Sequence, residues 1–153
     1  MKENTRFFIK VIFAHVLTYT LCGMIFMNLF NYEPFFEQEG WRSLDSIIVG
    51  LAPVFQIIRG ILYAIVFLFI KDTIYSKYGV LKLYVLMVII GIFNIPEPVS
   101  NSIEGLIYRI PTEPFNVLIG GTLEILTQNL LFCIIVCTKW DELFAKIRNK
   151  KNE

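Results

Sequence analysis

Four apolar runs bounded by charge constrain this chain more than any other feature. A helix rises 1.5 Å per residue, so about 20 apolar residues are needed to cross a bilayer core of about 30 Å. The runs cover 7–30, 47–70, 78–93 and 116–138. The first is interrupted only by Lys10 and His15. The second closes on Lys71 and Asp72, and the fourth on Lys139 and Trp140. The third is the weakest and carries Lys82 near its start, so it spans only if that lysine snorkels to the interface. The expected fold is all-α: a single integral membrane domain over 1–153, built as a four-helix transmembrane bundle with a short helical or irregular outer cap.

Composition agrees. Hydrophobic residues make up 56% of the chain and charged residues 18%, against about a quarter charged in ordinary soluble domains. A water-soluble protein this small has too little interior for so much apolar surface. The net charge of +1 gives no electrostatic footprint for nucleic acid.

Charge placement sets direction. The N-terminal segment, the link near Lys71 and Lys77 (with Lys82), and the tail from Lys139 together hold eleven of the fourteen Lys and Arg. The other two loops hold Arg42 and Arg109, and Arg59 lies inside a run. The positive-inside rule then places both termini in the cytoplasm of a multi-pass cell-membrane protein. The N-terminal run continues to Phe30, past the length of a signal-peptide core, and has no small-x-small cleavage pattern, so it reads as a retained first helix. Cys22, Cys133 and Cys137 lie in apolar runs without a CxxC and read as small buried side chains. Palmitoylation of Cys133 or Cys137 is chemically open.

The outer loops are acidic. Pro34, Pro98 and Pro114 each follow a glutamate and mark element boundaries. Ile103, Leu106, Ile107 and Ile110 recur at helical spacing, which predicts a short helix within 100–110. Asn31–Pro34 and Asn94–Pro98 occupy equivalent points of the two halves, a pattern compatible with a parallel repeat or with coincidence. The tail, 139–153, is amphipathic: Trp140, Leu143, Phe144 and Ile147 share a face. It reads as an interfacial helix or as an extension of the fourth span.

Ionisable groups inside a membrane are costly unless paired or wetted, and therefore point to function. Here they are His15, Arg59 and Glu124. Pro53, Gln56, Arg59, Gly60 and Tyr63 share one face of the second span. Gly120, Glu124 and Gln128 share one face of the fourth. Measured from the outer ends of their runs, Arg59 and Glu124 differ in depth by roughly 6 Å, within reach of an arginine side chain. The two stripes are expected to face each other, with Gly60, Gly120 and Gly121 permitting close approach. The candidate ligand-binding residues are Gln56, Arg59, Tyr63, Glu124, Gln128, His15 and Glu104, the last in a cap closing with Arg109 over the outer opening. The same polar groups also suit a purely structural role in setting helix register.

There is no HExxH, GxSxG, P-loop or dinucleotide-binding pattern, and neither a metal site nor a cofactor is expected. The best reading is a non-enzymatic membrane protein, a transport or sensor-type subunit binding a small anionic or amphipathic ligand. Its partners are the lipid bilayer and either a second copy or another membrane protein. The alternatives are a membrane-embedded enzyme acting on lipid or quinone, with Glu124 or Glu104 as acid/base and His15 assisting, and a structural accessory subunit.

The segments Gln56-Ile-Ile-Arg59-Gly60-Ile-Leu-Tyr63 and Ser102-Ile-Glu104-Gly105-Leu-Ile-Tyr108 resemble those of small bacterial four-span proteins of no assigned function. The resemblance implies a bacterial inner-membrane location and carries no activity. Better-known four-span families differ: small multidrug exporters place their key Glu in span one, where this chain has His15, and quinone-reducing thiol enzymes need a CxxC.

Overall fold

The computed structural model describes residues 2–37, 41–96, 99, 102–108, 110 and 112–140. The elements are α1 (Lys2–Phe30), α2 (Glu33–Phe36), α3 (Ile47–Gly50), α4 (Ala52–Phe69), α5 (Lys71–Ile74), α6 (Gly79–Val88), a π-helical continuation (Ile89–Phe93), α7 (Ile103–Tyr108) and α8 (Phe115–Cys137). No strand occurs among the described residues. The amphipathic tail beyond Trp140, Arg109 and the Glu97–Pro98 part of the second Asn–Pro segment lie outside them.

Three helices, Glu3–Phe30, Ala52–Phe69 and Phe115–Cys137, are long and apolar enough to cross a membrane. No more than 28% of any of their apolar windows is buried, so most of their apolar surface faces outward. Water does not tolerate a patch of that extent on a monomer. Lipid does.

Two boundaries depart from the expected runs, each for a local reason. The run 47–70 breaks at Leu51, between α3 and α4. Pro53 has no N–H to return to the Val49 carbonyl, so the chain restarts with Pro53 in the first turn of α4. The third run forms a helix over Gly79–Phe93, shorter than the other three. Its last five residues are π-helical, with the Asn94 N–H donating to the Ile89 carbonyl at 2.9 Å. Fifteen residues rise at most roughly 22 Å, short of a full hydrocarbon core. The remaining ends follow local chemistry. Asn31 leaves α1 in the left-handed region at φ 51°, which Asn tolerates at a helix end. Pro114 (ψ 145°) is the extended residue from which α8 starts.

Helix α1 is the central element. It packs against α4 on one side and α8 on another, while α6 packs against α8. Contacts fix α1 antiparallel to both neighbours. Lys71 meets Glu3 at 2.7 Å and His15 meets Gln56 at 3.1 Å. Lys10 reaches the Thr138 carbonyl at 2.8 Å, and Asn116 donates to the Phe30 carbonyl at 2.7 Å. Lys10, which interrupts the first apolar run, thus satisfies a carbonyl at the end of α8.

The core lies toward the basic end. Val11, Ala14, Ala64, Phe67, Phe132, Cys133 and Val136 are all at most 2% exposed, and Leu83 and Met87 close the cluster from α6. Gly60 lets α1 and α4 touch: a Cβ there would stand 3.0 Å from the Ile12 Cα. Gly60→Ala is therefore expected to lower stability. Overpacking costs about 1–3 kcal/mol, while the helix-propensity gain is about 1 kcal/mol. An unfolding midpoint in detergent that stays level or rises would contradict this contact.

Candidate functional site

The polar groups expected to form one centre are divided by α1 into two. The first lies between α1 and α4. His15 is 2% exposed, and its Nε2 is 3.1 Å from Gln56 Oε1. An amide oxygen only accepts, so the pairing calls for the Nε2–H tautomer. The imidazole meets the rings of Tyr63 (5.0 Å between centroids, edge-on) and Phe132 (5.6 Å). Phe67 completes the cluster by stacking on Tyr63 at 5.8 Å. Gln56, Gly60 and Tyr63 face α1, as i, i+4, i+7 spacing requires. Arg59 sits at the edge of that stripe and is exposed.

The second centre lies between α1, its outer turn and α8. Glu124 is half-buried, with its Oε1 3.6 Å from where a Cβ on Gly23 would stand. Tyr32, only 8% exposed, turns its hydroxyl over Gly120, one turn from Glu124. A Cβ on Gly120 would be 2.7 Å from that hydroxyl. The hydroxyl is buried and approaches the Glu124 carboxylate as its hydrogen-bonding neighbour, without a short contact. Burial, reinforced by the Glu124 carboxylate, raises the Tyr32 phenol above its ordinary range, so it remains a proton donor. Cys22, 2% exposed, lies within the field of the same carboxylate.

Arg59 and Glu124 are not brought together. Gly60 packs on Ile12 and Glu124 on Gly23, points separated by roughly 16 Å of α1 rise. An arginine side chain does not close that gap, and no Arg59–Glu124 ion pair exists among the described residues. Counting from the outer ends of two apolar runs underestimated the stagger, because α4 and α8 are set against α1 in different registers. Gln128 is half-buried one turn further along α8. Glu104 is half-buried in α7; its expected partner Arg109 is not among the described residues.

Gly23, Cys22 and Tyr32 were missed by reasoning from the sequence. Tyr32 lies in the Asn31–Pro34 segment, which the sequence marks as a boundary and as a point shared by the two halves, and a lone glycine in an apolar run gives no periodic signal. Among the described residues no three His, Cys, Asp or Glu side chains gather as a metal site would need. No family model, curated protein or solved structure matches this chain.

Proposed function

We propose that this is a four-span integral membrane protein with both ends cytoplasmic, acting as a non-enzymatic binding, transport or sensor-type subunit centred on Glu124. Helix α6 and its π continuation supply the third, short span of the four. Exposed Leu81, Val85, Leu86, Ile89 and Ile90 give that helix a lipid-compatible outer face, and its antiparallel place in chain order returns the polypeptide across the membrane. Fusions of a phosphatase or a fluorescent protein to the loops test this topology. Periplasm-type activity from the 94–115 loop is expected, and fluorescence there would sink the short third span.

One observation carries the binding reading: a carboxylate inside an apolar helix with a buried tyrosine hydroxyl directed at it. With Arg59 roughly 16 Å away along α1, Glu124 has no ion pair among the described residues. Among the described residues an anion finds no cation to hold it at this point. A proton or a small cation supplies what the carboxylate lacks, and the Tyr32 hydroxyl lies ready to orient it.

Dicyclohexylcarbodiimide, which partitions into lipid and attacks protonated carboxyls, tests this in native membranes. Glu124 is expected to be modified faster as pH falls, and Glu124→Gln should remove the adduct while extraction and melting stay normal. Protection by sodium would identify a cation as the ligand; dependence on pH alone would identify the proton. A Glu124 that stays inert across the pH range would end this reading.

Arg59 favours a second role, a partner interface. It is exposed on a face of α4 that also exposes Phe55, Ile58 and Leu62, where a guanidinium without a counter-charge is unstable in lipid. A carboxylate from a second membrane helix would neutralise it. Loss of a cross-linked or native-gel complex in Arg59→Gln, with the monomer intact, is the expected sign.

A further inference from the structure

A groove of about 550 Å³ runs along α1 beside the end of α8, on a face that the Glu124 centre does not use. Its apolar walls are Ile9, Phe13 and Leu17 of α1, Ile135 of α8, and Trp140 just beyond it. Arg6 and Lys10 line the same groove at its basic end. The walls are held in place. The Trp140 indole N–H donates to the Ile135 carbonyl at 3.2 Å, and the Lys10 ammonium is anchored on Thr138.

From this arrangement we infer that the groove is a binding site for an anionic membrane phospholipid. One acyl chain lies along Phe13 and Leu17, and the headgroup phosphate sits against Arg6, at the level where the Lys10 ammonium is held by Tyr75 and Thr138. Two features select this occupant. Arg6 to Leu17 covers roughly 16 Å of helix rise, a length suited to an acyl chain. The groove surface is hydrocarbon, and Arg6 stands exposed at its basic end, where a lipid headgroup would lie. Lys10 lies level with Thr138, where α8 ends and Lys139 and Trp140 follow, the residue types that collect at a membrane interface.

The inference rests on membrane embedding but not on any role of Glu124. Its test is native mass spectrometry of the full chain released from detergent after mixing with equal amounts of phosphatidylglycerol and phosphatidylcholine. Phosphatidylglycerol adducts should predominate. Arg6→Gln, at an exposed position, should weaken phosphatidylglycerol retention roughly fivefold, the worth of one basic residue at a lipid surface, and leave phosphatidylcholine unchanged. Leu17→Trp, which fills the inner end, should reduce both. Lys77→Gln, outside the groove, should change neither. Equal retention of the two lipids, or no effect of Arg6→Gln, overturns the site. Absence of the chain from the membrane fraction would instead refute the membrane reading beneath it.

Discussion

Replacing Gly79 by alanine is expected to disrupt the turn between α5 and α6 and to cost about 3–5 kcal/mol, the range reserved for a few severe mechanisms. Gly79 is buried directly after Tyr78, one of two non-glycine residues with positive φ among the described residues (64°). A Cβ at Gly79 would overlap the Ile74 carbonyl oxygen and come within 2.8 Å of its carbon. Those are backbone atoms, and no rotamer change moves them aside. Gly79 also begins the helix that rests on α8, so a shifted turn displaces Leu83 and Met87 from the core. Unfolding by a graded detergent series should show the loss. Gly91→Ala is the control, because its new Cβ meets nothing within 4 Å. Similar midpoints for the two variants would refute the steric account.

The other large effect belongs to Phe132. Its ring is 1% exposed and contacts His15, Tyr63 and Phe67 at centroid distances of 5.6, 5.7 and 5.9 Å. It is where α8 meets both α1 and α4. Truncation to alanine leaves a cavity among three rings and removes one edge-on and two tilted ring contacts, together about 3–5 kcal/mol. Phe132→Leu should recover part of the loss by restoring volume without the ring. A cycle combining Phe132→Leu with Tyr63→Leu should show coupling of at least about 0.5 kcal/mol. Strict additivity would mean that the rings are neighbours without energetic consequence.

Much of the architecture was legible in the sequence, for identifiable reasons. Apolar runs ending at Lys71 and Lys139 mark where helices leave hydrocarbon, so three long helices are found close to where they were expected. Gly60 and Gly120 were read as points of close approach and are such points, on Ile12 and on Tyr32. Two things were not legible. Periodicity tells which residues share a face of one helix, but not which helix that face meets. Both polar stripes meet α1, which shows no stripe of its own beyond His15. Nor does a run of apolar residues fix axial register, and the stagger of α4 against α8 is what separates Arg59 from Glu124. The break at Leu51 could have been read from Pro53. The π turn at Ile89–Phe93 has no comparable marker beyond Gly91.

The uneven distribution of the core has a mechanical consequence. Aromatic and aliphatic packing around Phe67 and Phe132 clamps the helices at the end where Lys10 ties α1 to α8. At the opposite end, the described side-chain tie between α1 and α8 is the hydrogen bond from Asn116 to the Phe30 carbonyl. A bundle built in this way is expected to open like a pair of tongs, from the end away from the aromatic grip. Amide exchange should accordingly rise along α8 from Val136 toward Phe115. Glu124 and Tyr32 sit on that side, so occupation of the proposed site is expected to slow exchange over the Phe115 half of α8.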